Sequence, residues 1–382
     1  MNSRQEPLRV LFCCSSVGVT NRGIESFFRE AFDNLRETPG LEIQLAKGGG
    51  VSTEDERVVW CLRKTSSAAK LIGQLTGRSS YAVEQWTSFL PIVQVIRRFD
   101  PHVIFSSDAN LFFLLRRFRN RFGGNWTLLF SNGGPCHPPF NRTDCVHQVA
   151  PMYLEEALAA GESSARHFLV PYGINVPAGA PVCDPAEKRA IRERLGLPLD
   201  RKIILSVGWI AAQHKRMDYV VEEVARIPGS RPFLQLLGAM DDKSRQIIDS
   251  GNRLLGASGF SARSVPYEEV CDYYRAADCF VLASLAEGFG RVYLEALLHG
   301  LPVLAHRHAV IEFVVGAEGN LGNLSQPGEL AGMLTRELQR PLDPGSMQRR
   351  RESVRDRFSW PVLAAKYSAM FRACVESRLN GP

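Results

Sequence analysis

The sequence lacks long hydrophobic runs. Its apolar stretches are short, such as Cys279–Ala283, and none approaches the roughly 20 residues that a helix needs to cross a bilayer. The N-terminal segment also lacks a signal-peptide pattern, since its apolar run is short and typical of a buried strand. We therefore expect neither a transmembrane nor a secreted protein.

Paired cysteines are also missing. The chain has nine cysteines, an odd number, and none forms a CxxC pair, which argues against a disulfide framework and favours a reduced cytoplasmic compartment. Potential zinc ligands occur at Cys136, His137, Cys145 and His147, but adjacent ligands such as the first two rarely complete a tetrahedron. We therefore predict no metal site.

Low-complexity segments are absent as well, which excludes a fibrous or disordered chain. A length of 382 residues, with 45% hydrophobic and 23% charged residues, is typical of a soluble protein of two or three domains. The net charge of +6 is mildly basic. Because lysine and arginine are mostly dispersed, we predict no nucleic-acid partner, and attraction to nucleotide phosphates or an acidic membrane remains.

What the sequence does contain is an alternation of short apolar runs and helical patterns. The predicted strands are Val10–Cys14, Ile43–Ala46, Val103–Ser106, Thr127–Ser131, Val146–Ala150, Ile203–Val207, Phe233–Leu237, Cys279–Ala283 and Pro302–Ala305. The predicted helices are Gly23–Arg36, Glu84–Phe99, Ala109–Phe122, Met152–Ala160, Pro185–Leu195, Met217–Arg226, Tyr267–Ala276, Arg291–His299 and Phe358–Arg378. This order is typical of α/β domains with parallel sheets covered on both faces.

A loop rich in glycine follows the predicted strand Cys279–Ala283. Gly288 and Gly290 allow backbone N–H groups to approach a ligand, and the start of the next helix favours a phosphate. Glu287 and Glu295 flank this loop eight positions apart, about 12 Å if the whole interval were helical. One carboxylate could hold a sugar and the other a ribose. The alternative is two solvated glutamates.

This loop resembles the signature of retaining glycosyltransferases of family 4, which have the GT-B fold. Other stretches resemble the same family: Leu205–Gly208 with His214–Asp218, Phe233–Gly238, Val265–Asp278, His299–Val303, Val170–Asn175 and Arg357–Trp360. The similarity covers roughly residues 165–375 and is weak in the N-terminal half. It implies two Rossmann-like, doubly wound parallel-sheet domains that face a cleft.

The resemblance also implies that the two domains bind different substrates. Residues 1–170 would form the acceptor-binding domain and residues 171–357 the donor-binding domain, and residues 358–382 a helix that crosses back to the first. The expected reaction moves a sugar from a UDP- or GDP-sugar, with retention and without a cofactor. The resemblance does not identify the acceptor, which could be a glycan, a lipid-linked molecule or a small molecule. Alternatives are an epimerase, a phosphorylase or a non-catalytic sugar-nucleotide-binding module.

Site residues follow from the same resemblance. Lys215 and Glu287 are the predicted catalytic residues, and Lys215 would contact the diphosphate of the donor with help from Arg216. The predicted donor-binding residues are Gly23, Lys215, Arg216, Glu287, Gly288, Phe289, Gly290 and Glu295. The predicted acceptor or sugar side comprises Arg22, Asn132 and His137. As in the family, no DxD pattern stands out, so we predict metal independence.

Three departures from the family leave the donor open. Trp209 stands where the family usually has arginine, and Arg22-Gly23-Ile24-Glu25 replaces a Gly-Gly-x-Glu loop. Asn132 stands where histidine is common, and an amide can bind a hydroxyl but carries no proton charge. These changes affect the choice of donor more than the reaction class.

The predicted helix Ala109–Phe122 has two interpretations. Its apolar stripe comprises Leu111, Leu115, Phe118 and Phe122, and Arg116, Arg117 and Arg121 fall away from that stripe. The first interpretation is a helix that covers a sheet and exposes a basic face. The second is a peripheral contact with a membrane surface, near a lipid acceptor.

Overall fold

A computed structural model describes residues 6–20, 22–134, 136–179, 181 and 184–379. The chain divides into two compact units. The first contains residues up to Asn175 and those from Phe358 onward, and the second is Val176–Arg357. The first unit thus extends slightly beyond the predicted boundary at residue 170, because Ile174 pairs with Ser359 and its N–H donates to the carbonyl of Phe358 (2.9 Å).

Unit 1 contains a parallel sheet of seven strands. They are β1 (Leu8–Cys14), β2 (Leu41–Lys47), β3 (Glu56–Val58), β4 (Val103–Ser106), β5 (Thr127–Asn132), β6 (Cys145–Gln148) and β7 (His167–Leu169). Their order is β3-β2-β1-β4-β5-β6-β7. The central strands are almost entirely apolar and buried, as expected for a sheet covered on both faces.

Helices cover this sheet. They are α1 (Gly23–Leu35), α2 (Ser67–Thr76), α3 (Ser80–Thr87), α4 (Phe89–Phe99), α5 (Ala109–Phe118) and α6 (Pro151–Ala159), with 3₁₀ turns at Arg119–Phe122 and Ser164–Arg166. The predicted helix Glu84–Phe99 is in fact two helices that meet at Ser88. The hydroxyl of Ser88 donates to the carbonyl of Gln85 (2.8 Å), and Pro91 occupies the first turn of α4, where a missing N–H is tolerated.

The last helix of the chain packs within unit 1. In chain order it is α15 (Trp360–Leu379). The ring of Phe371 lies 6.0 Å from that of Phe12 in β1, and the hydroxyl of Tyr367 donates to the carbonyl of Pro171 (3.0 Å). A Cβ on Gly173 would stand 2.7 Å from the indole of Trp360. Glycine at position 173 therefore allows this aromatic side chain to pack directly on the backbone.

Unit 2 contains a parallel sheet of six strands. They are β8 (Ile203–Val207), β9 (Phe233–Leu237), β10 (Phe260–Arg263), β11 (Cys279–Leu282), β12 (Val303–His306) and β13 (Gly319–Gly322), in the order β10-β9-β8-β11-β12-β13. The helices are α7 (Pro185–Leu195), α8 (Met217–Ala225), α9 (Ser244–Leu255), α10 (Tyr267–Ala276), α11 (Arg291–Leu298), α12 (Ala309–Val315), α13 (Glu329–Leu338) and α14 (Pro344–Phe358), with a 3₁₀ turn at Gly316–Glu318.

The predicted α/β class, with two Rossmann-like parallel-sheet domains, is confirmed. The four strands that the sequence did not reveal are β3, β7, β10 and β13, and all four are sheet edges. Throughout the part that the structure describes, no helix combines the length and the apolar character needed to span a bilayer.

Candidate functional site

The candidate site of unit 2 lies where the order of its strands reverses. Strands β8 and β11 are neighbours, although they are separated by two other strands in sequence. In open parallel sheets, ligands bind beyond the carboxyl ends of such a strand pair. The loop after β8 leads to Lys215, and the loop after β11 leads to Glu287. The topology therefore converges on the two residues predicted as catalytic.

Lys215 and Glu287 form an ion pair. The Nζ of Lys215 lies 2.5 Å from Oε1 of Glu287, and the side chains are 23% and 12% exposed. The pair is thus partly shielded from water but still reachable. A cation and a carboxylate at one point suit a ligand that carries both a phosphate and hydroxyl groups.

The backbone around Lys215 is strained. His214 and Arg216 have φ angles of 66° and 48°, in the left-handed region that non-glycine residues seldom adopt. The structure describes three such residues, and two of them flank Lys215. Strain of this kind costs of order 1–3 kcal/mol and concentrates at functional sites. The local conformation therefore supports a functional role for this loop.

Arg216 is anchored within unit 2. Its Nη1 donates to the carbonyl of Leu324 (2.6 Å), and its guanidinium lies 4.3 Å from the ring centroid of Tyr219. These contacts orient the side chain and limit its freedom. Its contact with a diphosphate remains a prediction.

The glycine loop before α11 has the form that the sequence indicated. Gly290 adopts φ 83° as the residue that precedes the helix, and a Cβ there would stand 2.6 Å from the ring of Tyr293. Phe289 is buried and packs the loop, next to Gly288. Because α11 begins at Arg291, the interval from Glu287 is not helical throughout, and the helical distance of about 12 Å does not apply.

Glu295 lies on α11. Its Oε2 accepts a hydrogen bond from the hydroxyl of Tyr274 (2.9 Å). Burial, followed by the charge of Glu295, raises the pKa of Tyr274 well above its ordinary value, so the phenol stays protonated and keeps donating. This bond holds the carboxylate in a fixed orientation.

The other predicted site residues lie in unit 1. Arg22 immediately precedes α1 and Gly23 is the first residue of that helix, and both are exposed. His137 is also exposed, and its Nδ1 lies 2.6 Å from Oε1 of Glu156. The structure thus leaves these three residues accessible in unit 1.

Asn132 is buried at the end of β5. Its Nδ2 donates to the side chain of Gln148 (2.9 Å) and to the carbonyl of Cys136 (3.2 Å). Both amide hydrogens are therefore used inside unit 1. This arrangement favours a structural role and gives no support to the predicted contact with a sugar.

His147 is a core residue. Its Nδ1 lies 3.1 Å from the hydroxyl of Ser131 and its Nε2 lies 2.6 Å from the carbonyl of Val170. Burial lowers its pKa to about 4. Among the residues that the structure describes, no group of three or more potential ligands could hold a metal ion.

Unit 1 contains a polar network that the sequence did not predict. It lies at the switch point of the sheet, which is the place beyond the carboxyl ends of the neighbouring strands β1 and β4 where the strand order reverses. Asp108, two residues after the end of β4, accepts from the N–H of Ser15 (3.3 Å), the hydroxyl of Tyr81 (3.0 Å) and the amide of Gln85 (3.0 Å). It is buried, and burial raises its pKa. The sequence did contain a signal for this network, because Ser15 and Asp108 are polar residues one and two positions beyond predicted strands.

Glu84 extends this network. Its Oε1 accepts from the hydroxyl of Ser16 (2.9 Å) and its Oε2 from the backbone N–H of Lys64 (2.8 Å). The Nζ of Lys64 donates to the same hydroxyl (3.0 Å). The network therefore ties α3 and the segment before α2 to the strand ends of unit 1.

Helix α5 is a core element. Leu111 and Leu115 are buried, and Phe118 and Phe122 pack against the same cluster. Arg116 and Arg119 form ion pairs with Asp144. These contacts favour the first interpretation of this helix, which covers the sheet, over a membrane contact.

Part of unit 2 matches a model of a known protein family. Residues 187–353 match the family model for glycosyl transferases group 1. This range contains both loops of the candidate site and most of unit 2.

Similar sequences cover part of the chain. The D-inositol 3-phosphate glycosyltransferase 2 of Catenulispora acidiphila is 30% identical over 205 residues, which are 50% of this chain and 48% of that protein. The D-inositol 3-phosphate glycosyltransferase of Mycolicibacterium smegmatis is 30% identical over 212 residues, 53% and 47% of the two chains. The chain spans about half the length of these relatives.

Solved structures resemble the whole fold. Sucrose-phosphate synthase of Thermosynechococcus elongatus matches with a TM-score of 0.75 at 19% identity, over 96% of this chain and 98% of that one. Anabaena HepE in complex with UDP-glucose matches with a TM-score of 0.72 at 15% identity, over 96% and 100%. At these identities the likeness concerns the fold, and it supports the predicted GT-B class.

Proposed function

We propose, from the match of residues 187–353 to the family model for glycosyl transferases group 1, that the protein transfers a sugar from a nucleotide-sugar to an acceptor. The observation that carries this proposal is the ion pair between Lys215 and Glu287 at the switch point of unit 2. A lysine can bind a phosphate and a carboxylate can bind hydroxyl groups, and the pair lies where open parallel sheets hold their ligands.

Each residue would have a distinct task. Lys215 stabilises the negative charge that develops on the departing diphosphate, and such electrostatic stabilisation is often the largest catalytic contribution. Glu287 accepts hydrogen bonds from the hydroxyls of the transferred sugar. Glu295, oriented by Tyr274, holds the ribose.

We further propose retention of the anomeric configuration without a metal ion. In a front-face reaction the leaving diphosphate oxygen takes the proton of the acceptor hydroxyl, so no protein base is needed. The carboxylate of Glu287 is paired with Lys215, and in this mechanism it binds the hydroxyl groups of the sugar. Lys215 supplies the positive charge that a metal would otherwise provide.

The donor and acceptor are proposals at the level of class. The structural relative HepE binds UDP-glucose, which favours a UDP-sugar over a GDP-sugar for this chain. The acceptor is a glycan, a lipid-linked molecule or a small molecule, bound by unit 1. A cytoplasmic location and the absence of a nucleic-acid partner complete the proposal.

The first test identifies the nucleotide. A thermal-shift screen with UDP, GDP, ADP and TDP should show stabilisation by one of them, because a ligand at 100 times its Kd adds about 2.7 kcal/mol. Stabilisation by none would contradict nucleotide-sugar binding.

The second test follows the product. The matching nucleotide-sugar, labelled in the sugar, is incubated with and without a panel of acceptors, and the anomeric configuration of the product is read by NMR. Acceptor-dependent transfer with retention is expected. A changed sugar without acceptor would indicate an epimerase, consumption of phosphate a phosphorylase, and binding without turnover a non-catalytic module.

A further inference from the structure

Helix α2 is attached to unit 1 along a narrow line. Only Ala69 and Gly73, one turn apart, are buried among its ten residues. A Cβ on Gly73 would stand 2.7 Å from the carbonyl oxygen of Arg78, so the backbone of α2 lies directly against the segment that leads into α3. Helix α4, by contrast, buries Phe89, Ile92, Val93, Ile96 and Phe99.

The outer face of α2 is apolar. Leu71 and Leu75 are 56% and 78% exposed, and Ile72 is exposed beside them. Residues three and four apart share one face of a helix, so the three side chains form a continuous patch. A helix on the surface of a soluble domain normally presents polar residues there. The folding of unit 1 gains little from this patch.

Basic residues flank the patch in the sequence. Residues 59–99 contain six lysines and arginines and one acidic residue, Glu84, which is buried and accepts from the hydroxyl of Ser16. Lys70 and Arg78 are exposed at the two ends of the apolar patch. The region thus presents apolar and basic groups to solvent and no exposed carboxylate of its own.

We propose that the α2 surface, formed by Leu71, Ile72 and Leu75 with Lys70 and Arg78, docks on a membrane that contains anionic lipids. Short amphipathic helices with apolar and basic residues lie in the plane of the interface, and their basic groups are attracted to anionic headgroups. The charge of the region favours this occupant over a second copy of the chain, since two copies would bring like charges together. The proposal concerns a surface and does not depend on the transferase activity.

The sequence analysis considered a membrane contact for a different helix, Ala109–Phe122, which corresponds to α5 and the turn after it. In α5, Leu111 and Leu115 are buried, and Arg116 pairs with Asp144. One apolar residue of α5, Phe113, is exposed. The experiment therefore also tests whether α5 contacts the membrane.

The test measures binding of the purified protein to vesicles by co-sedimentation. Vesicles of phosphatidylcholine alone are compared with vesicles that also contain phosphatidylglycerol. The double variant Leu71→Ser/Leu75→Ser should lower the partition coefficient on anionic vesicles at least tenfold, because two leucine side chains no longer leave water. Lys70→Glu/Arg78→Glu should lower it similarly, and added salt should weaken binding of the wild type.

Two single variants are controls. Leu342→Ser removes a comparably exposed leucine from unit 2 and should leave binding unchanged, and Phe113→Ser tests α5. Circular dichroism establishes that each variant is folded. Wild-type protein that stays in solution, an unaffected leucine double variant, or a loss confined to Phe113→Ser would overturn the proposal. So would a wild-type dimer that the leucine double variant makes monomeric, which would assign the surface to a second copy of the chain.

Discussion

The same position in the two sheets is built in two different ways. In unit 2, the loops after the neighbouring strands β8 and β11 bring together Lys215 and Glu287, which remain partly exposed. In unit 1, the loops after the neighbouring strands β1 and β4 bring together Ser15 and Asp108, and Asp108 is buried. Polar groups converge at both places, as the topology of open parallel sheets favours.

The difference teaches that a switch point by itself does not make a ligand site. The carboxylate of Asp108 is occupied by donors from α3 and from the β1 loop, which fasten these elements together. The pair in unit 2 has a strained loop on one side and a glycine loop on the other. We therefore expect substitutions in unit 2 to change activity and those in the unit 1 network to change stability.

The sharpest test of this contrast is Lys215→Ala. Loss of one electrostatic stabiliser should lower kcat by about 10²–10³, with a smaller rise in the KM for the donor, because the charge matters most in the transition state. Steady-state kinetics measure both. Lys202→Ala, which removes an exposed lysine of the same unit, is the matched control, and near-wild-type kcat for Lys215→Ala would contradict the assignment.

Arg216→Ala refines the same measurement. A loss of kcat comparable to that of Lys215→Ala would mean that Arg216 provides the cation missing at Trp209. A small loss would mean that its bond to Leu324 reflects a structural role.

The counterpart in unit 1 is Asp108→Ala. It leaves the buried amide of Gln85 and the hydroxyl of Tyr81 without this acceptor, and we expect a loss of about 2–4 kcal/mol in the free energy of unfolding. Urea denaturation measures the loss. Glu37→Ala, at an exposed carboxylate, should change stability by less than about 0.5 kcal/mol. If Asp108→Ala lowered kcat strongly without loss of stability, the unit 1 network would have a functional role like the pair in unit 2, which would contradict our expectation.

The pH dependence of stability provides a second measurement on Asp108. Because burial raises its pKa, the folded protein binds this proton more tightly than the unfolded chain does. Its contribution to stability is therefore greatest below the ordinary pKa of aspartate, about 4, and falls as pH rises towards the native value. Asp108→Asn should remove this slope from urea titrations at a series of pH values.

A smaller effect is expected at Glu295. Glu295→Ala should raise the Kd for the nucleotide about tenfold, in line with the loss of a hydrogen bond to a charged group. Titration calorimetry measures it. Tyr274→Phe keeps the carboxylate but removes the bond that orients it, so its effect should be smaller. An unchanged Kd for Glu295→Ala would place the residue outside the site.

No effect is expected from a chelator. If Lys215 supplies the charge that balances the diphosphate, EDTA should leave turnover unchanged in a donor assay without added metal. Loss of activity with EDTA and recovery with Mg²⁺ or Mn²⁺ would show that a metal neutralises the phosphate.

The sequence alone was sufficient to predict the interior strands of both sheets. Strands such as Ile203–Val207 and Phe233–Leu237 were predicted at their observed bounds, because strands covered on both faces are continuous apolar runs. The edge strands escaped detection because an edge is half exposed and needs fewer apolar residues. Gly319–Gly322 contains one large apolar side chain, and no local pattern distinguishes it from a loop.

What the sequence determined by itself was the fold class and the loop chemistry of unit 2, since glycines, a lysine and two glutamates at fixed spacing are local features. Only the tertiary structure decided which of these groups meet. Lys215 and Glu287 are 72 residues apart, and their contact depends on β8 and β11 being neighbours. It likewise decided that the apolar stripe of α5 is buried and that of α2 is exposed. Periodicity defines the faces of a helix, and only packing determines which face meets water.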